Sequence, residues 1–149
     1  MAERQTKTAG SKRATSQGLT AEERAAMRER VRELRTAKGT DGEQEVLAKI
    51  SEMPKEDRLL AERFHALVKK VAPELAPRTW YGMPAYAKNG SIVCFFQPAS
   101  KFKARYATVG FSDKAALDDG ALWPTSYALT ALGPGEEKRL GELIQRAVS

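Results

Sequence analysis

Trp80-Tyr81-Gly82-Met83-Pro84-Ala85-Tyr86 carries the strongest folding signal in this chain of 149 residues. It places three aromatic side chains around a Gly-x-Pro turn, and Asn89-Gly90 follows at once. Asn-Gly between two strand-like segments is typical of a two-residue β-hairpin. The apolar run Ile92–Phe96 comes next and has the pattern of a buried strand. This part of the sequence therefore predicts antiparallel strands joined by tight turns.

Helical patterns surround these strands. A Thr-x-x-Glu capping box at Thr20 begins a helix that we expect to reach Lys38, and a second box at Thr40 begins another. Pro54 suits the first turn of a third helix, and a fourth covers about 136–148. Strands are predicted around Arg78–Tyr81, Ala85–Ala87, Ser91–Gln97, Arg105–Phe111 and Tyr127–Leu132. The expected fold class is α+β, with helices packed on an antiparallel sheet.

Charge divides the chain into segments. The first 40 residues hold ten Lys and Arg against five Glu, which accounts for +5 of the net charge of +6. Apart from Met1, residues 1–18 contain no large apolar side chain, which predicts a disordered basic tail. Residues 19–39 are expected to form a protruding, charged helical extension whose apolar stripe is narrow. The α+β domain is predicted to occupy residues 41–149.

The composition also indicates the cellular compartment in which we expect the protein. Cys94 is the only cysteine, so no internal disulfide can form, which fits a reducing cytoplasm. No apolar run approaches the roughly 20 residues of a membrane span. Cys94 lies inside the apolar strand, where a small buried side chain is expected rather than a reactive thiolate.

A binding surface is the most specific functional feature that the residues suggest. Lys101, Lys103 and Arg105 alternate with Phe102, Ala104 and Tyr106, which on a strand would place three cations on one face. The alternative is a polar sheet face opposite a core. By the same alternation, only one of Phe95 and Phe96 should enter the core. The residues predicted to bind a ligand are Trp80, Tyr81, Met83, Pro84, Tyr86, Lys101, Lys103, Arg105 and Tyr106.

Other chemistries have less support. No Gly-rich phosphate loop or serine-hydrolase elbow is present, and no catalytic constellation is visible, which favours a non-catalytic protein. His65, the only histidine, is expected at the surface or at its boundary. The acidic candidates for a metal site are Asp113, Asp118, Asp119, Glu136 and Glu137. An arginine stripe on the first helix could contact nucleic-acid phosphates or be a solvated face; it consists of Arg24, Arg28, Arg32 and Arg35.

The W-Y-G-M-P-A-Y segment, the strand Ile92–Phe96, Lys101-Phe102 and the closing helix resemble the bacterial YdhG-like family of domains of unknown function. The resemblance covers residues 41–148 and implies a small α+β domain. Some members are described as frataxin-like iron chaperones, which implies iron bound by acidic ligands. We therefore expect a cytosolic binding or chaperone-like domain for a small molecule or a protein. The alternatives are an iron chaperone and a nucleic-acid-associated protein that uses the basic N-terminus.

Overall fold

The computed structural model describes residues 20–36 and 42–149. Three helices come first: α1 (Ala21–Thr36), α2 (Gly42–Ser51) and α3 (Lys55–Val71). Five strands follow, namely β1 (Ala76–Trp80), β2 (Met83–Lys88), β3 (Ser91–Gln97), β4 (Ala107–Phe111) and β5 (Ser126–Leu129). A short 3-10 helix, Ser100–Phe102, lies between β3 and β4, and helix α4 (Pro134–Ala147) closes the chain.

The five strands form one antiparallel sheet in the order of the sequence, β1-β2-β3-β4-β5. Together with the helices this is an α+β fold, as the sequence predicts. Both predicted features of the central hairpin are confirmed. Asn89 and Gly90 have φ angles of 51° and 82°, as a type I′ turn requires. Phe96 is fully buried, whereas Phe95 on the other face is only partly buried.

Local interactions explain how α1 and α4 begin and how α3 packs. In α1 the backbone N–H of Glu23 donates to Oγ1 of Thr20 at 3.0 Å, which is one half of the predicted capping box. In α4 the Oε1 atom of Glu136 accepts the N–H of Gly133 at 2.8 Å. Helix α3 is amphipathic and buries Phe64 and Val68 against the sheet.

Alternation along the strands gives the sheet two different faces. The inner face carries Tyr86, Cys94, Phe96 and Val109, which pack with α2, α3 and α4 in one hydrophobic core. The opposite, outer face is defined by Trp80, Met83, Ala85, Phe95, Gln97 and Gly110. Helix α1 lies over this outer face with Ala26 only 4% exposed. The prediction that the first helix protrudes is therefore wrong.

Several predictions fall on residues outside the described ranges. They concern the tail at 1–18, the end of the first helix at Lys38 and the capping residue Thr40. Within the described ranges, no helix is both long and apolar enough to cross a membrane.

Candidate functional site

An aromatic cluster on the outer face forms the floor of a cavity of about 310 Å³ beneath α1. The Trp80 ring lies 5.1 Å from the rings of both Tyr81 and Phe95, centroid to centroid. Phe95 reaches this position because its ring lies directly over Gly110, where a Cβ would overlap it. Met27 of α1 also lines the cavity and remains 50% exposed. The helix covers the cluster only in part, since Trp80, Tyr81 and Phe95 are all partly exposed and the cavity is open to solvent.

Tyr81 occupies a backbone conformation that a bulky residue rarely adopts. It pairs with Gly82 in the two-residue β1–β2 turn at φ angles of 53° and 76°. The β2–β3 turn has the same conformation with Asn at the corresponding position, the residue that a type I′ turn prefers. A non-glycine residue in the left-handed region costs about 1 kcal/mol or more. The strained turn directs the Tyr81 ring towards α1, where the Cζ atom of Arg30 lies 5.8 Å from the ring centroid.

Ion pairs join α1 to the rest of the domain. Glu29 lies 3.2 Å from Lys101 Nζ and 3.1 Å from Lys49 Nζ. Burial alone would raise the pKa of the Glu29 carboxyl, but the hydrogen bonds and charges of Lys49 and Lys101 outweigh burial and lower this pKa. Near the start of α1, Glu22 pairs with Lys103 at 2.8 Å. This hydrogen bond lowers the pKa of Glu22 and raises that of Lys103.

Gly82 is favoured by its backbone angle, and its lack of a side chain leaves room for the Glu29–Lys101 pair above it. A Cβ at this position would overlap the Glu29 carboxylate and lie 2.8 Å from Lys101 Nζ. The β1–β2 turn therefore fits directly beneath the Glu29–Lys101 pair. The glycine of the W-Y-G-M-P motif thus has a role in seating α1.

Lys101, Lys103 and Arg105 do not lie on one strand, so the predicted alternation is wrong. Residues 100–102 form the 3-10 helix, and Lys103 has a φ angle of 53°. The cause is the buried Asp57 of α3. Its carboxylate accepts the N–H groups of Ala99 and Ser100, both at 3.1 Å, and the Ser100 hydroxyl.

This turn separates the predicted cations. Lys101 and Lys103 face α1, whereas Arg105 stacks on Tyr106 at 5.1 Å. Arg105 and Tyr106 line a different groove beside Asp57, of about 510 Å³. The cations predicted to share one ligand surface therefore lie on two separate surfaces.

Tyr86 and Pro84 do not belong to an exposed patch. Both are fully buried on the inner face, because β2 directs them opposite to Met83 and Ala85. The expectation that Tyr86 borders the cations is therefore wrong. Met83 faces outward but is also buried, beneath α1.

His65 is likewise buried, contrary to the expected surface position, at 7% exposure. Its Nδ1 atom lies 2.9 Å from the Tyr86 hydroxyl and its Nε2 atom 3.4 Å from Glu43. A carboxylate only accepts, so we infer that Nε2 carries the proton and that Nδ1 accepts the Tyr86 O–H. Burial lowers the pKa of His65, and Glu43 offsets this only in part. This series of hydrogen bonds reaches the surface at Lys69, whose Nζ atom donates to Glu43 at 2.8 Å.

Cys94 is a buried core residue, as predicted. Its side chain is inaccessible on the inner face, next to Tyr86 across the β2–β3 ladder. Burial raises the pKa of this thiol to about 12. The thiol is therefore protonated at neutral pH.

The acidic metal candidates are dispersed. Asp113, Asp118 and Asp119 are exposed beyond β4, and Glu136 and Glu137 lie in the first turn of α4, where Glu136 is engaged with Gly133. Among residues 20–36 and 42–149, no group of three or more His, Cys, Asp or Glu side chains has the arrangement of a metal site.

The arginines of the nucleic-acid alternative lie on α1. Arg24 and Arg28 are exposed, one turn apart, while Glu22 and Glu29 are paired with the domain. Arg32 and Arg35 follow further along the same helix.

Sequence reasoning missed the contribution of α1 to this region. Met27, Glu29 and Lys49 take part, although only Met27 belonged to a recognisable pattern, the narrow apolar stripe. The cavity and ion pairs join segments that are far apart in sequence. No periodicity could have indicated these contacts.

The comparisons with known proteins return no relative of this chain. No family model matches it, no curated protein matches it, and no solved structure matches it.

Proposed function

We propose that this protein is a non-catalytic binding domain that holds an amphipathic helix of a partner protein on the outer face of its sheet, with acidic residues on the docked face of that helix. Helix α1 occupies this surface within the same chain when no partner is present. The observation that carries the proposal is the seating of α1 over the Trp80–Tyr81–Phe95 cluster, with Glu22 and Glu29 on Lys103 and Lys101. A chaperone-like role and the YdhG-like relationship are parts of this same proposal.

The surface under α1 has the composition of a recognition site. Aromatic residues and Met are enriched at the centres of protein interfaces, and cations at the rim select acidic partners. Here the aromatic floor is bordered by three lysines, namely Lys49, Lys101 and Lys103. The surface therefore favours a helix that combines apolar residues with Glu or Asp two turns apart, the spacing of Glu22 and Glu29.

Helix α1 itself is held weakly. Among its side chains from Ala21 to Arg30, only Ala26 is buried. Partly exposed ion pairs contribute about 0–1 kcal/mol each, and an isolated helix of this length is marginal in water. A partner with a larger side chain at the position of Ala26 would extend into the cavity that α1 leaves open. Such a helix would bury more apolar surface and displace α1.

A peptide added to the full-length protein tests this proposal. Trp80 and Trp123 are the only tryptophans, so in the Trp123→Phe variant the emission reports on the outer face. The probe is residues 20–36 as a peptide with Ala26→Leu, because the attached α1 competes at an effective concentration in the millimolar range. Saturable binding is expected, about tenfold weaker for the same peptide carrying Glu22→Lys and Glu29→Lys, a change that leaves the attached α1 unaltered.

Weakening α1 within the chain should have the opposite effect. Glu22→Gln with Glu29→Gln removes its ion pairs, increases the fraction of open surface and strengthens peptide binding several-fold. Glu23→Gln is the control, since it removes a glutamate charge from α1, one where the double variant removes two, without breaking a described ion pair. Equal affinities in all these variants would reject the outer face as the site.

A nucleic-acid-associated role is a second candidate, favoured by the side chains that α1 exposes to solvent. Glu22 and Glu29 are engaged with the domain, while Arg28 is exposed on the helix. Binding to a labelled DNA duplex should fall steeply with salt, and Arg28→Gln should reduce the slope. Lys70→Gln on α3 is the control. Salt-independent binding would reject this role.

An intracellular location is also proposed. It is supported by the single, deeply buried cysteine, which takes part in no disulfide within the chain.

A further inference from the structure

A second cleft, of about 340 Å³, lies between α4 and the segment that connects β4 to β5. It shares no lining residue with the cavity beneath α1. Trp123 and Tyr127 form an aromatic wall and are partly buried against the core. The Tyr127 ring is held edge-to-face on Phe111 at 6.1 Å. The Tyr127 side of this wall is therefore held in orientation before any ligand arrives.

The rest of the cleft carries charges of both signs. Arg139, Glu142 and Arg146 recur at three- and four-residue intervals on one face of α4. Asp119 lines the cleft from the connecting segment. In the described part of the chain, none of these four side chains forms an ion pair within 4.0 Å or a hydrogen bond, unlike Glu22, Glu29 and Glu43. Two guanidinium groups and two carboxylates therefore retain their capacity for a ligand.

We propose that this cleft binds a small zwitterion with an aromatic side chain, of the class of the aromatic α-amino acids. An arginine fork matches a carboxylate in a bidentate manner, and the Asp119 and Glu142 carboxylates match an ammonium group. The ligand ring packs against Trp123, since aromatic pairs prefer offset or edge-to-face contact. A simple anion or cation suits the cleft less well, because either would meet two charges of its own sign. The volume lies at the lower end of the range of small-molecule sites.

The test uses L-phenylalanine as the probe and the full-length protein. In the Trp80→Phe variant, the emission comes from Trp123 alone, and calorimetry on the unaltered protein gives a second measurement that needs no substitution. L-Phenylalanine should bind saturably. Phenethylamine, which lacks the carboxylate, and 3-phenylpropionate, which lacks the ammonium group, should each bind about tenfold more weakly or worse, because each loses a charge-assisted hydrogen bond.

Paired substitutions then assign each charge. In the Arg139→Gln, Arg146→Gln variant, L-phenylalanine and phenethylamine should bind equally, since the carboxylate no longer has a partner. In the Asp119→Asn, Glu142→Gln variant, L-phenylalanine and 3-phenylpropionate should become equal. Lys138→Gln is the control, an exposed cation of α4 that does not line this cleft. The proposal is overturned if L-phenylalanine does not bind at millimolar concentration, or if the three ligands bind equally to the unaltered protein.

Discussion

The Nζ atom of Lys101 lies 3.2 Å from Oε1 of Glu29, a residue 72 positions earlier in the chain. The contact passes over Gly82, so the first helix, the β1–β2 turn and the 3-10 helix meet at one point. Lysines that suggest an open ligand surface in the sequence are thus paired with glutamates of the chain's own helix. The proposed binding surface is the one that this helix covers.

Glu29→Gln should loosen α1 while leaving the core intact. The substitution removes the charge that Lys49 and Lys101 share, and exposed helices with few buried contacts open first. Amide hydrogen exchange in residues 21–30 should become faster, with no change in α4. Glu23→Gln should not produce this effect. Unchanged exchange in α1 after Glu29→Gln would show that the ion pairs do not hold the helix.

Tyr81→Asn should separate binding from stability. The change relieves the strain of a tyrosine at positive φ but loses its contacts with Trp80 and Arg30, so the free energy of unfolding should change by less than about 1 kcal/mol. In the Trp123→Phe background, affinity for the Ala26→Leu peptide should fall by about tenfold, as measured by Trp80 emission.

The second hairpin supplies the reverse control for Tyr81. Asn89→Tyr places tyrosine at the same position of a type I′ turn that is exposed and has no helix over it among the described residues, and should destabilise the protein by about 1 kcal/mol. A larger loss of stability in Tyr81→Asn than in Asn89→Tyr would indicate that Tyr81 serves folding alone.

Asp57→Ala should destabilise the protein and disturb α1 together. It leaves the N–H groups of Ala99 and Ser100 without their acceptor, at a cost of about 2–3 kcal/mol, and it frees the turn that positions Lys101 and Lys103. Urea unfolding should show the loss, with Asp57→Asn intermediate. Glu56→Gln, an exposed neighbour, should match the unaltered protein. The interpretation fails if α1 exchange is unaffected in Asp57→Ala.

His65 should make stability depend on pH in the range that begins just above its ordinary pKa of 6.5 and extends to lower pH. Burial lowers its pKa in the folded protein, so below the ordinary pKa of 6.5 the unfolded chain binds a proton that the folded state resists. Stability should therefore fall as pH falls through this range. Glu43 and Lys69 also face this site, but the pKa of Glu43, lowered by its hydrogen bond from Lys69, places its own effect at lower pH.

His65→Gln should flatten this dependence, since glutamine does not titrate and its amide oxygen can accept the Tyr86 hydroxyl. Urea unfolding at several pH values measures the slope. An equal slope in His65→Gln and the unaltered protein would assign the pH dependence to other groups.

The fold was predictable where the signals are local. Asn89-Gly90 predicts its hairpin because few residues tolerate two consecutive positive φ angles, and Ile92–Phe96 predicts its strand because the apolar run is short and bounded by turns. The same reasoning failed at Lys101–Tyr106. There, alternation suggested a strand, but the carboxylate of Asp57 captures the backbone into a 3-10 helix.

The candidate site was predictable only in part. The aromatic composition of the motif points to Trp80 and Tyr81, but it predicts Tyr86 on the same surface, whereas strand alternation directs Tyr86 inward. The buried partner of Tyr86 is His65, and a lone histidine in a helix gives no sign of such a contact. Helix α1 is held over the site by ion pairs between residues that are far apart in the sequence, and a single sequence does not reveal such pairs.

The central claim is that α1 occupies the binding surface when no partner is present. Amide hydrogen exchange in α1 during peptide binding tests this claim most directly. The full-length protein is saturated with the peptide of residues 20–36 carrying Ala26→Leu, isotopically distinguished from the chain. If the peptide takes the place of α1, the amides of residues 21–30 in the protein lose protection, while those of α4 keep theirs. Binding of the peptide with the protection of α1 unchanged would contradict the proposal that this helix occupies the binding surface.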